Sequence, residues 1–300
     1  MKVIVCIPAR YASTRFPNKV LAKDTGKFLI QHTYEQASKA KLPEKVIIAA
    51  DDKRIADAAK SFGAECIMTS PDCPSGTDRI AEAVKKLADG GQRTADSKNR
   101  KLNPVPYTLN ADDIVVNLQA DEPEIDPANI DTVAKLLLEN QKSKIKTQNC
   151  GMATLVAEFD NESQITDPNI VKVVVAWSVQ RTADRKKLNA KRCPLSADCG
   201  KAIYFSRSPI PYDRQKSGIG DKDIYLRHLG IYAYRKDFLL EFTKLAQGRL
   251  EQIEKLEQLR AIENGFDILV AKVMHVCDGI DTPQQYAAFV KRYKLATEKK

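Results

Sequence analysis

KVIVCIPARYASTRFPNK, Lys2 to Lys19, is an unbroken apolar run followed at once by a loop dense in cations, hydroxyls and prolines. The run Lys2–Ile7 reads as a strand buried on both faces, the form strands take in parallel sheets covered by helices. The loop behind it carries Arg10, Arg15 and Lys19 beside the hydroxyls of Ser13 and Thr14. Open α/β sheets bind ligands at the carboxyl ends of their strands, and a triphosphate needs fixed cations and donors of this kind. The loop lacks the G-x-x-x-x-G-K-[ST] of a Walker loop and the G-x-G-x-x-G of a dinucleotide site.

Working outward, the same alternation repeats. Lys45–Ala50 is a short apolar run ending at Asp51-Asp52, and Ile55, Ala58, Ala59 and Phe62 then recur at helical spacing before Gly63. Cys66–Met68 resumes strand, Thr77–Ala88 reads as an amphipathic helix, and Ile114–Leu118 is the next buried strand. Repeated β-α-β units imply a parallel sheet with right-handed crossovers. Further on, Met152–Val156, Val171–Trp177, Ile203–Phe205, Leu229–Tyr234 and Ile268–Val273 are strand-like. Leu250–Glu263 reads as one helix with an apolar stripe through Ile253, Leu256, Leu259 and Ile262, and Pro283–Thr297 as a final amphipathic helix. Two polar stretches, residues 89–112 and 178–201, break the pattern and are expected to be exposed, partly disordered inserts in one domain spanning residues 1–300.

Composition narrows the function classes. Of the 300 residues, 43% are hydrophobic and 29% charged, ordinary for a globular protein. With no apolar stretch of membrane-spanning length and no leader at MKVIVCIPAR, a cytoplasmic location without membrane association is expected. The seven cysteines lack any C-x-x-C and several lie in apolar strands, which indicates buried thiols rather than disulfides or zinc. Residues 178–201 hold seven Lys/Arg against two Asp, so five of the nine net positive charges sit in one insert. No interleaved aromatics accompany them, which favours a solvated insertion over an RNA-binding surface. No nucleic-acid partner is therefore expected.

Asn117–Pro123 reads N-L-Q-A-D-E-P at the end of the Ile114–Leu118 strand. A carboxylate there, facing a cationic loop, suits Mg²⁺, which takes one or two protein carboxylates and fills its shell with phosphate oxygens. Asp121 is the candidate, with Asp281 of G-I-D-T-P as a second oxygen donor. Each has a plainer reading as a turn or helix-capping residue.

Eight segments occur in order: I-P-A-R-Y-A-S-T-R-F-P-N-K-x-L, T-S-P-D-C-P-S-G-T-D-R, N-L-Q-A-D-E-P, G-M-A-T-L, Y-F-S-R-S-P-I-P, R-H-L-G-I-Y-A-Y-R, L-E-x-I-E-K-L-E-Q-L-R and D-T-P. Together they closely resemble the 3-deoxy-manno-octulosonate (Kdo) cytidylyltransferases, over nearly all of the chain outside the two inserts. The resemblance implies a Rossmann-like nucleotidyltransferase fold of the α/β class, a mixed, mostly parallel sheet flanked by helices with a smaller dimerisation lobe. It implies a Mg²⁺-dependent homodimer that makes CMP-Kdo and pyrophosphate from CTP and Kdo for lipopolysaccharide. An 8-amino-Kdo or sialic-acid-type acceptor would be the alternative.

Carried over by position, Arg10, Ser13, Arg15 and Lys19 would hold the phosphates, with Pro8 and Ala9 near the cytosine. Gln119 would lie between base and sugar, and Asp121 and Asp281 would bind the metal. Arg79 would meet the Kdo carboxylate or its surroundings, as a bidentate guanidinium can. His228, Tyr232, Glu257 and Gln258 would line the sugar pocket. One departure stands out: Ala120 replaces the family's usual glycine, adding a single methyl that is expected to leave the site intact.

Overall fold

β1 (Val3–Ala9) is wholly buried and pairs in parallel with β2 (Lys45–Ala50) and β4 (Ile114–Asn117), while β2 pairs in parallel with β3 (Glu65–Met68). The order β3-β2-β1-β4 therefore places β1 centrally and brings the carboxyl ends of β1, β2 and β4 to one edge. The helices α1 (Leu29–Ala37), α2 (Lys53–Ser61) and α3 (Gly76–Ala88) supply the crossovers. The computed structural model describes residues 1–13, 15–88, 107–142, 149–177, 199–276 and 278–298, so most of both inserts lies outside the described residues. Among the described residues no helix is long and apolar enough to cross a membrane.

The sequence reading treats the chain as one domain; its contacts cluster into two compact units. Residues 1–127 with 277–300 form the first unit and 128–276 the second. The first closes with α8 (Pro283–Glu298), whose Tyr286 and Phe289 join Leu29 and Ile280 in a buried cluster against Phe16 and Tyr293. The second contains all but the first residue of α4 (Pro127–Lys142), and the strands β5 (Cys150–Ala157), β6 (Lys172–Trp177), β7 (Cys199–Ser206), β8 (Arg227–Arg235) and β9 (Asp267–Lys272). Its strand order is β8-β5-β9-β7-β6. Here, among the described residues, only β5 and β9 run parallel; β5–β8, β7–β9 and β6–β7 are antiparallel. The parallel character expected for the whole sheet thus belongs mainly to the first unit.

The helices of the second unit depart from the sequence reading. Leu250–Glu263 is not one helix but two, α6 (Arg249–Glu254) and α7 (Leu259–Glu263), after α5 (Lys236–Phe242). Lys255 ends α6 in the left-handed region at φ 52°, and Ile253, read as core, is 67% exposed. Buried Arg260 clamps the two pieces together with paired bonds to Glu251, Nε to Oε2 at 2.8 Å and Nη2 to Oε1 at 2.6 Å. A bidentate pair of this geometry compensates much of the cost of burying both charges. Glu263 returns to cap α6, accepting from the amides of Leu250 and Glu251. In β5, Gly151 is required by close approach, since a Cβ there would sit 2.3 Å from Phe238. Of the five described cysteines, Cys6, Cys66, Cys150 and Cys199 lie in strands, in keeping with the sequence reading.

Candidate active site

The first loop leaves β1 at Ala9 and is turned by Asn18, whose left-handed conformation (φ 57°) is one that Asn tolerates better than most residues. The turn feeds a short 3-10 segment, Lys19–Leu21, that buries Lys19 and Val20. Lys19 is drawn inward to two carboxylates. Its Nζ lies 2.5 Å from Asp121 Oδ2 and 3.1 Å from Asp281 Oδ1. Arg15 reaches the same Asp281 oxygen at 3.0 Å. Packing fixes this meeting: Phe16 contacts Tyr286 with ring centroids 5.5 Å apart, and the Ile280 amide donates to the Asp121 carbonyl at 2.8 Å.

The capping alternative for Asp281 is resolved by its neighbour. Thr282 Oγ1 accepts from the Gln285 amide, and Gln285 Oε1 accepts from the Asp281 and Thr282 amides, a capping box with Pro283 as first helical residue. The Asp281 carboxylate is left to Lys19 and Arg15. Beside Asp121, Glu122 is buried, and desolvation with help from Asp121 and Asp278 pushes its carboxyl up to about 8. Ala120 is buried without a left-handed backbone, and its carbonyl accepts from Thr33 Oγ1 at 3.0 Å. No permissive glycine dihedral is needed at that position in this chain.

Pro8 and Ala9 end β1, Arg10 and Arg15 are exposed, and Ser13 is half-buried. Gln119 donates to Asn117 Oδ1 at 3.3 Å. Arg79 is buried on α3, bonded to Thr69 Oγ1 (2.7 Å), the Ser70 carbonyl (3.2 Å) and Asp51 Oδ2 (3.1 Å). The structure thus groups Lys19, Arg15, Asp121 and Asp281, and sets Arg79 in a separate network of the same unit.

Of the sugar-side candidates, Arg79 and Gln119 belong to the first unit, and His228, Tyr232, Glu257 and Gln258 to the second. Against β5 the register of β8 slips, so that Thr154 pairs with Tyr232 but Leu155 with Leu229, leaving Gly230 and Ile231 over. Such irregularities re-aim side chains, and here the His228 and Tyr232 rings pack at a tilt of 42° with centroids 5.3 Å apart. The His228 Nε2 lies 3.0 Å from Thr154 Oγ1, whose own proton has the Ile231 and Leu229 carbonyls as acceptors. That network assigns the Nε2–H tautomer and leaves Nδ1 as the acceptor. Burial against Phe205 and Tyr232 lowers the imidazole to about 3, so it is neutral at physiological pH. Glu257 and Gln258 occupy the link between α6 and α7: Gln258 is buried, and Glu257 is half-buried 3.8 Å from Arg260. Sequence reasoning missed Thr154, an isolated polar residue inside β5, and the role of Asp51, read only as one of two acids that close the Lys45–Ala50 strand.

The donors fit a hard cation. Two carboxylates converge on one ammonium, which already marks the spot as a cation position, and all-oxygen donors suit Mg²⁺. Among the described residues no group of three or more His, Cys, Asp or Glu forms a complete cage. A metal here would take its remaining oxygens from substrate and water.

Residues 4–268 match the cytidylyltransferase family. The 3-deoxy-manno-octulosonate cytidylyltransferase of Thermodesulfovibrio yellowstonii is 42% identical over 286 residues, 95% of each chain. The 8-amino-3,8-dideoxy-manno-octulosonate cytidylyltransferase of Shewanella sediminis is 40% identical over 284 residues, again 95% of each. A solved CMP:2-keto-3-deoxy-manno-octonic acid synthetase complexed with CTP covers 100% of both chains at 34% identity, with a TM-score of 0.73.

Proposed function

Because this chain belongs to the cytidylyltransferase family, we propose that it transfers CMP from CTP to 3-deoxy-manno-octulosonate, releasing pyrophosphate. The observation that carries the acceptor is the 42% identity, across 95% of both chains, to a cytidylyltransferase named for that sugar. The anomeric hydroxyl attacks the α-phosphorus in line, and no covalent enzyme intermediate forms. In such transfers the protein positions the reactants and stabilises charge. Lys19 and Arg15 offset phosphate charge, with Arg10 and Ser13 of the same loop as further donors. Asp121 and Asp281 hold Mg²⁺, which when bound supplies positive charge to the phosphate oxygens. His228, neutral and donating through Nε2, keeps Nδ1 to accept from a sugar hydroxyl, beside Tyr232. Glu257 and Gln258 are held for the sugar by the Arg260–Glu251 clamp. A cytoplasmic homodimer belongs to the same reading, and the dimer is checked by sedimentation of the purified protein.

The test is pyrophosphate release with CTP, Kdo and Mg²⁺, with ATP, GTP and UTP alongside. Release that requires CTP, Kdo and metal is expected; release with Kdo absent or with no dependence on the nucleotide base would overturn the reading. A second acceptor is favoured by relatives named for the 8-amino sugar at 40% and 41% identity. Supplying both sugars at equal concentration decides between them.

A further inference from the structure

The strongest unexplained feature of the first unit is a buried ion pair that touches the nucleotide loop. Asp51, just past the end of β2, accepts from the Tyr11 amide through Oδ1 at 2.9 Å and from Arg79 Nη2 through Oδ2 at 3.1 Å. The two side chains are 11% and 5% exposed, so the pair is screened from water. The second Arg79 nitrogen, Nη1, is taken by Thr69 Oγ1 and the Ser70 carbonyl, and Thr69 is itself tied to the Ala50 carbonyl. On the outer side, Arg54 lies over the Tyr11 ring at 3.4 Å to its centroid, held in place by Asp52. At the start of α3, Gly76 comes so near β1 that a Cβ there would lie 3.4 Å from Pro8.

We propose that Asp51 and Arg79 are positioning residues for nucleotide binding: their buried pair fixes the backbone of Tyr11, and through it Arg10, in the loop that receives the triphosphate. This rests on the cytidylyltransferase reading for the identity of the ligand. It assigns Arg79 a different duty from meeting the sugar carboxylate. A guanidinium with three partners inside its own unit has few donors left for a substrate, whereas its partner Asp51 bonds the loop directly. A buried acceptor serving a backbone amide also resists loss, because removal leaves both the amide and the guanidinium unsatisfied.

The experiment compares Asp51→Asn, Arg79→Gln and the double variant. In the double, an amide pair can keep both the contact between the side chains and the acceptor for Tyr11 N–H, without a lone buried charge. Calorimetry with CTP alone, without acceptor, is the first readout, so the choice of sugar does not enter. Each single variant is expected to bind CTP about tenfold more weakly, and the double to recover most of that loss. Steady-state rates should show the KM for CTP raised and the KM for the sugar unchanged. Hydrogen exchange at the Tyr11 amide should speed up in Asp51→Ala, a readout independent of any substrate. A raised sugar KM with unaltered CTP binding in Arg79→Gln, or a double variant no better than the worse single, would overturn the proposal. Wild-type protein that bound no CTP would overturn the functional reading instead, while unchanged Tyr11 exchange in Asp51→Ala would overturn the brace alone.

Discussion

His228 offers a prediction that can be worked to a number. The perturbation is acid, and the control is His228→Gln, whose amide can still donate to Thr154 but does not titrate. Burial lowers the folded imidazole from 6.5 to about 3. A histidine depressed in this way favours the fold only while neutral. Its contribution is therefore complete above 6.5 and is lost as pH falls from there toward 3. At pH 5 the unfolded chain binds the proton and the folded one does not, which lowers stability by about 2 kcal/mol relative to pH 8. Urea unfolding across pH 4.5–8 should therefore give wild-type protein a steeper acid decline than His228→Gln, the difference reaching about 2 kcal/mol at pH 5. The wild-type imidazole should stay neutral by nitrogen chemical shift down to that pH. The two proteins should also share the shape of their kcat/KM profiles between pH 5.5 and 8.5, since neither changes charge at this position. Parallel stability curves, or a resonance of His228 titrating near 6.5, would refute the reasoning.

Lys19→Met removes the ammonium shared by Asp121 and Asp281, and should cost about 1–2 kcal/mol of stability. Mg²⁺ should then raise the Tm of the variant more than that of wild type; equal gains in a thermal scan would refute the shared cation position. The same variant should lose about 100-fold or more in turnover by pyrophosphate release. Arg260→Met strands the buried Glu251 carboxylate and should destabilise by about 3–5 kcal/mol, with Glu251→Met/Arg260→Met recovering most of it in urea titrations. Gly151→Ala drives a methyl into Phe238 and should cost about 1–3 kcal/mol by the same measurement.

How far the residues themselves could be read depended on range. Lys45–Ala50 coincides with its observed strand because a short apolar run closed by two acids leaves little freedom. The break in Leu250–Glu263 was illegible: the apolar spacing is helical throughout, and no glycine or proline marks Lys255. Tertiary bonds from Glu251, Glu254 and Glu263 decide that geometry, with Glu254 accepting from Ser206 Oγ and the Arg207 amide. The helices α1, α4 and α5 have weaker signals in the sequence, although α4 carries Pro127 at its first position, a usable start signal. The site's central contacts join Lys19 to residues 102 and 262 positions away, a separation that periodicity does not reach. The sequence reading joined Asp121 and Asp281 as oxygen donors to one metal, but did not bring Lys19 between them. Thr154 sits in a buried strand with nothing local to distinguish it from a packing residue.

Two places show a common device by which the fold frees a carboxylate for the site. At Asp51-Asp52 the second residue caps α2, accepting from the Arg54 amide at 2.8 Å, and the first turns to Tyr11 and Arg79. At Asp281-Thr282 the second residue caps α8 through Gln285, and the first turns to Lys19 and Arg15. A lone acid before a helix is drawn to the unsatisfied amides of the first turn, where its charge is also favoured by the helix dipole. Supplying a second capping side chain removes that competition, so the preceding carboxylate can be held by cations without loosening the helix. The arrangement also ties each carboxylate's backbone to a rigid helix start, which limits its freedom more than a loop alone would. In a sequence of this kind, the acid immediately before the cap is therefore the better candidate for chemistry than the cap itself.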